Sequence, residues 1–185
     1  MPSSSDVFII SASCAIDPAQ ALRQAIKESG VNPARVQDFI FGADSPISIS
    51  LDELAREVMM TCPLVMVSSS MRALFFAAQA ILCEDADLIL VGGGQGRQFA
   101  GVLLASPVAV GVYNFAPLAR IDARSLASAE HALKKAAHAA EDVQIKINGI
   151  CGALLMVQMM EQLQEQKAAW GLAQVGKAAM LIERI

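Results

Sequence analysis

The sequence predicts an α/β domain in which helices cover a sheet, and three observations carry that expectation. Short apolar runs rich in β-branched residues alternate with helical segments that bring their own capping residues. Hydrophobic residues make up 55% of the 185, against 17% charged, enough for a large core or for an apolar face that a partner covers. No linker, low-complexity stretch or block of charge interrupts the chain, so residues 1–185 read as one domain.

Val7 to Ala12 suits a buried strand. Asp17 then caps a helix, with Pro18 at its first position and Gln20 completing a capping box, and Gly30 ends it as a left-handed cap. Val36 to Phe41 is a second strand, closed by Gly42. Ser50 and Glu53 form another capping pair, opening a helix to about Met60. Cys62 to Val67 is a third strand, and Ser68-Ser69-Ser70 leads into an alanine-rich helix to about Cys83. Between Met71 and Cys83 the only ionisable residues are Arg72 and Cys83, which predicts a helix buried on all sides between two sheets. Asp87 to Val91 is a fourth strand ending in Gly92-Gly93-Gly94, and a fifth falls within Val102 to Ser106. Further on, Val108 to Tyr113 suits a strand, Ser125 to Ala140 a helix, Val143 to Ile147 a strand and Cys151 to Lys167 a helix. Gly171 to Val175 and Ala178 to Glu183 suit a closing hairpin. Strand–helix units that end in paired strands occur twice, which suggests approximate halves at 1–107 and 108–185.

Several function classes find no support. The longest charge-free run, Gln98 to Ala119, contains Gly101, Pro107, Gly111 and Pro117, so it reads as strands and turns rather than a membrane span. The first six residues show no positive region ahead of an apolar stretch, so no signal peptide is expected and the expected location is the cytoplasm. Net charge is −4 with scattered basic residues, which gives a nucleic-acid backbone nothing to hold. Cys14, Cys62, Cys83 and Cys151 lie far apart, and with two histidines no metal site is expected; four reduced, mostly buried thiols are. His131 and His138 share a helical face with Lys134 and Lys135, the pattern of a solvated stripe. Gly92 to Gly96 does not complete a dinucleotide-binding fingerprint, because Arg97 and Phe99 stand where the third glycine would fall. That run reads as a tight backbone turn, and no cofactor is expected. Met156, Met159 and Met160 suit core or interface packing.

Residues 64–94 are more specific. Val67-Ser68-Ser69-Ser70-Met71-Arg72-Ala73-Leu74, then Ala77-Ala78-Gln79-Ala80-Ile81, then Asp85-Ala86-Asp87-Leu88-Ile89-Leu90-Val91-Gly92-Gly93, closely resembles the nucleophile elbow of thiolases and ketoacyl synthases. Val36 to Gly42, Ile147-Asn148-Gly149, Trp170-Gly171-Leu172 and Ala178 to Arg184 resemble other segments of that superfamily, over nearly the whole chain. The resemblance implies a layered αβαβα fold with two pseudo-equivalent halves, both shortened, since members are roughly twice this length. It also implies a dimer, joined at the strand before the elbow, and a place in acyl-thioester metabolism.

The departures bear on function. In the superfamily a cysteine sits between a strand and the start of a helix, whose dipole favours the thiolate that takes the acyl group. Counting back from Ala77-Ala78-Gln79 puts Val67 there, and valine has no nucleophilic atom. One residue on, Ser68 would need a positioned base. The superfamily's Gly-His-Pro segment is missing, since Asn148-Gly149-Ile150-Cys151-Gly152-Ala153 runs directly into a helix. Its second cysteine is missing from Leu172 to Lys177. Cys151, opening a helix after a turn, remains the one thiol in a setting that stabilises thiolate; Cys14, Cys62 and Cys83 have no base nearby in sequence. The expectation is therefore a non-catalytic partner, scaffold or chain-length-factor-like subunit, as a homodimer or beside a longer homologue. An acyltransferase or lyase working through Ser68 or Cys151, and a binder of acyl-CoA or acyl carrier protein, are the alternatives.

Overall fold

The computed structural model describes residues 6–44, 50–122 and 143–185. The helix expected over Ser125 to Ala140 lies outside them, as do His131 and His138. The chain opens with β1 (Val7–Ala15), α1 (Pro18–Ser29), a 3₁₀ turn (Pro33–Arg35), β2 (Asp38–Gly42) and α2 (Leu51–Val58). Next come β3 (Leu64–Val67), α3 (Ser70–Leu82), the hairpin β4 (Leu88–Gln95) and β5 (Gln98–Ala105), α4 (Pro107–Tyr113) and β6 (Ala119–Ile121). After the undescribed stretch follow β7 (Val143–Gly149), α5 (Gly152–Glu165), β8 (Trp170–Val175) and β9 (Ala178–Arg184).

The caps read from sequence are in place. The Asp17 carboxylate accepts from the Gln20 N–H at 2.7 Å, and Gly30 closes α1 at φ +73°. The Ser50 hydroxyl accepts from the Glu53 N–H in the same way; the Ser69 hydroxyl, not singled out as a cap by the sequence, accepts from the Arg72 N–H. Two secondary-structure expectations fail. Val108 to Tyr113 is helical, because Ser106 caps it by accepting from the Ala109 N–H at 3.1 Å and Pro107 fits its first turn. Ser106 is itself held by Asp87, so a tertiary contact sets the cap and overrides the β-rich composition. Gly92 to Gly94 do not form the turn but lie inside β4; the turn is Gly96-Arg97, with Gly96 at φ +62°. A Cβ on Gly93 would lie 2.3 Å from the Ser70 Cβ, so glycine there lets α3 lie close on the strand.

The nine described strands form one sheet in the order β3-β2-β4-β5-β1-β6-β9-β8-β7. β2 is parallel to β3 and β4, β7 is parallel to β8, and the remaining pairs are antiparallel. In a flat sheet β4 and β7 would stand about 29 Å apart at ~4.8 Å per strand. Yet α5, about 21 Å long at 1.5 Å per residue, packs on β4, β5 and β1 and also on β7 and β8. The sheet is therefore folded over α5 into two wings, hinged where β1 meets β6 through three residue pairs. Arg120 secures that seam by donating to Glu183 on β9 and to Asp6 beside β1.

Helices α1 and α2 cover the outer face of the first wing around Leu22, Phe39, Phe41 and Leu90. The inner core gathers Met71, Leu74 and Ile81 of α3, Met156 and Met159 of α5, and Val91, Met180 and Ile182 from the two wings. Helix, sheet, helix and sheet thus follow one another as layers. Helix α3 is not enclosed as expected. It rests chiefly on β4, β2 and α5, while Arg72, Phe76 and Gln79 face outward, with Phe76 51% exposed. Among the described residues no helix is long and apolar enough to cross a membrane.

Candidate functional site

The parallel strands β2, β3 and β4 all point their carboxyl ends at the start of α3, the usual place for a site in such a sheet. Val67 ends β3, Ser68 makes the turn, Ser69 caps and Ser70 begins the helix. Two glycines let the strands come up against it. A Cβ on Gly42 would lie 2.0 Å from the Ser70 nitrogen, as close a fit as Gly93 makes from β4. From the other side, a Cβ on Gly152 would lie 2.6 Å from the Met71 Cα, so the start of α5 presses directly on the start of α3. Two positive helix ends therefore converge on one buried spot.

Three side chains fill that spot. Ser70 is fully buried; its Oγ accepts from the Ala153 N–H of α5 at 3.1 Å and lies 3.4 Å from the Cys151 Sγ. Both Asp44 carboxylate oxygens lie 3.1 Å from the Ser70 nitrogen, whose N–H they share. The Cys151 thiol is 2% exposed. Burial pushes this thiol up to about 11; the Ser70 hydrogen bond opposes the rise, and the Asp44 charge adds to it. A thiol in that state is neutral at physiological pH, despite the two helix ends beside it.

Of the candidates read from sequence, Val67 is half-buried at the strand end, as placed by counting. Ser68 is exposed and accepts from the Arg72 guanidinium at 3.1 Å, which is no base. Cys151 meets Ser70, not Ser68. Ser70 and Asp44 were not singled out by the sequence, because the contacts that bring them to the site are made across 83 and 26 positions. The expectation of mostly buried thiols is corrected: all four are free, but Cys14 and Cys83 are exposed, Cys62 is half-buried and only Cys151 is buried. Cys14 sits near the outer end of β1, and Cys83 follows the last turn of α3, where the chain leaves the core. Among the described residues no group of three or more His, Cys, Asp or Glu is placed to hold a metal ion. A cavity of about 660 Å³, lined among others by Ile10, Arg35, Tyr113 and Phe115, lies at the opposite end of the strands.

The raised Cys151 pKa has a measurable consequence. Below about pH 9 the thiol is protonated in both folded and unfolded chains and contributes nothing. Above it the unfolded thiol ionises first, so unfolding is favoured progressively up to about pH 11. Stability is expected to fall by at most about 2–3 kcal/mol over that window at 1.4 kcal/mol per unit. Cys151→Ala should flatten this component of the alkaline decline in urea titrations between pH 8 and pH 10. An unchanged slope would mean the thiol is not held neutral.

No family model matches the sequence, and no curated protein matches it either. Solved structures do match the fold. Human mitochondrial 3-ketoacyl-CoA thiolase in complex with CoA aligns with a TM-score of 0.76 at 14% identity, covering 97% of this chain and 98% of that one. Acat5 thiolase from Ascaris suum in complex with coenzyme A aligns with a TM-score of 0.78 at 12% identity, covering 97% and 100%. Acetyl-CoA acetyltransferase from Syntrophomonas wolfei aligns with a TM-score of 0.73 at 11% identity, covering 96% and 98%. The fold is thiolase-like, as the residues around the elbow suggested.

Proposed function

We propose that this chain is a thiolase-like subunit without thiolase chemistry, acting as the partner or scaffold of another subunit of the same fold in acyl-thioester metabolism. The observation that carries the reading is the elbow, where the strand–turn–helix geometry is kept while Val67 stands at its strand end and, among the described residues, Ser68 is bonded by the Arg72 guanidinium rather than by a base. Coenzyme A appears in two of the structures that share the fold, so a CoA thioester or an acyl carrier is the ligand class to test. The reading places the chain in one domain of two shortened halves, working in the cytoplasm.

The edges of the described sheet support a partner at β3. That edge carries Val65 and Met66, each about half exposed, and the outward Phe76 of α3 belongs to the same first wing. The opposite edge, β7, exposes Gln144, Lys146 and Asn148, polar residues that discourage pairing. A second copy or a longer homologue docked on β3 would continue the sheet and cover the apolar residues. The alternative, an acyltransferase using Cys151, draws on the two helix ends at that thiol, but its burial and its neutral state weigh against it.

Steady-state condensation and thiolysis with acetyl-CoA and acetoacetyl-CoA test the reading on the natural and Val67→Cys proteins. Neither is expected to turn over above background, because a nucleophile without base and oxyanion donors recovers little. Turnover by the natural protein would overturn the reading; turnover by the variant alone would mean that a base has been kept. Incubation with labelled acyl-CoA separates the remaining possibilities: covalent label indicates an enzyme and reversible binding indicates a binder.

A further inference from the structure

The cavity of about 660 Å³ between the ends of α1 and α4 lies within the size range of ligand pockets. Local chemistry shapes it. Gly30 at φ +73° turns the chain out of α1, and Asn114 at φ +53° turns it out of α4. Tyr113 and Phe115, on either side of Asn114, stack with ring centroids 5.4 Å apart and planes inclined by 30°. Both rings line the cavity, together with the buried Ile10 of β1. Tyr113 is still 38% exposed, so part of its ring surface is open to a further stacking partner.

Arg35 lines the same cavity and is carried there by a braced turn. The Asn32 side chain accepts from the Ala34 N–H at 3.0 Å, and the Asn32 carbonyl accepts from the Arg35 N–H at 2.9 Å. Two residues on, Gln37 accepts from the Asp87 and Leu88 N–H groups and ties the turn to β4. Arg23, Arg56, Arg72, Arg120 and Arg184 each donate from the guanidinium to another group. Among the described residues the Arg35 guanidinium has no such partner; nor has Arg97, which sits in the turn between β4 and β5. Glu28, the carboxylate on this cavity, accepts from the Gln24 amide at 2.8 Å and forms no ion pair with Arg35. The arginine therefore keeps its planar fork of donors, the shape that fits a carboxylate. Glu28 disfavours a second negative charge beside it.

We propose that this cavity binds a small aromatic acid with a single negative charge, its ring continuing the Tyr113–Phe115 stack and its carboxylate on the Arg35 guanidinium. The site is separate from the elbow, and the proposal does not rest on the reading of the elbow's chemistry.

Tyr113 is the single tyrosine of the chain, so protein labelled with 3-fluorotyrosine gives one ¹⁹F resonance, placed at the cavity. The probe is 3-phenylpropionate, compared with 3-phenylpropylamine and with cyclohexanepropionate. The aromatic acid is expected to shift the resonance saturably, with a Kd of about 1 mM or tighter, and each comparison compound to bind at least about tenfold more weakly. Arg35→Gln removes no contact among the described residues, so the variant should fold as the parent does, yet it should weaken binding of the acid at least about tenfold. Arg97→Gln, the matched loss of an arginine without a partner, should leave binding unchanged. No saturable shift up to about 10 mM acid would overturn the proposal. Equal binding of the amine or of the alicyclic acid would do the same, as would undiminished binding by Arg35→Gln.

Discussion

Gly42→Ala is expected to cost at least about 4 kcal/mol of folding stability, the range in which a single change becomes diagnostic. For a chain of this length that lowers the thermal midpoint by roughly 8–16 °C. The added methyl would meet the Ser70 nitrogen at 2.0 Å and the Ser70 Cα at 2.1 Å, and backbone atoms cannot swing aside as a side-chain end does. Neither neighbour has room to retreat: β2 is bonded to β3 on one side and β4 on the other, and Ser70 is pinned by Asp44 and by α5. Gly111→Ala is the control. A Cβ there meets nothing within 4 Å, and in the middle of α4 alanine is preferred by about 0.5–1 kcal/mol. Thermal melts followed by far-ultraviolet circular dichroism check both, and a Gly42→Ala protein melting within about 2 °C of the parent would refute the contact.

Charging the β3 edge is the second large effect. Val65→Lys with Met66→Lys is expected to weaken self-association, or association with a longer homologue, by at least about 100-fold, or 2.8 kcal/mol. Pairing two copies at this edge would bring like charges together where the natural residues are apolar. The matched control is Gln144→Lys on β7, which should leave assembly unchanged. Multi-angle light scattering on the parent is expected to give more than the monomer mass, and on the double variant the monomer mass. A parent that is monomeric, with no homologue copurifying, would remove the dimer from the proposed function.

Local chemistry made much of this fold legible. Asp17, Pro18 and Gly30 bracket α1 in the sequence because capping is decided by residues within a few positions of one another. The same holds for Ser50. Where the reading failed, the deciding partner was distant. Three consecutive glycines look like a turn from within the sequence; they sit in a strand because Phe41, Ser70 and Phe99 crowd their Cα atoms. Val108 to Tyr113 looks like a strand until Ser106 is seen fastened to Asp87, 19 positions earlier. The site divides along the same line. Its elbow is a contiguous motif and was visible, but the contact of Ser70 with Cys151 joins residues 81 positions apart and no spacing announces it. Asp44 carries a common side chain in an unremarkable loop position, and its bond to the Ser70 N–H, 26 positions on, appears only in the folded chain.

The seam at β1 also constrains how the chain is made. β1 ends at Ala15, its partner β5 begins at Gln98, and its other partner β6 begins at Ala119. Synthesis at about 5–20 residues per second therefore leaves this strand without either neighbour for roughly 4–17 s. Val7, Phe8, Ile9 and Ile10 all end up buried, so during that interval a sticky tetrapeptide emerges from the ribosome with both edges open. Strands β5 and β6 close a strand made long before them, and until they arrive the nascent chain depends on whatever shields it.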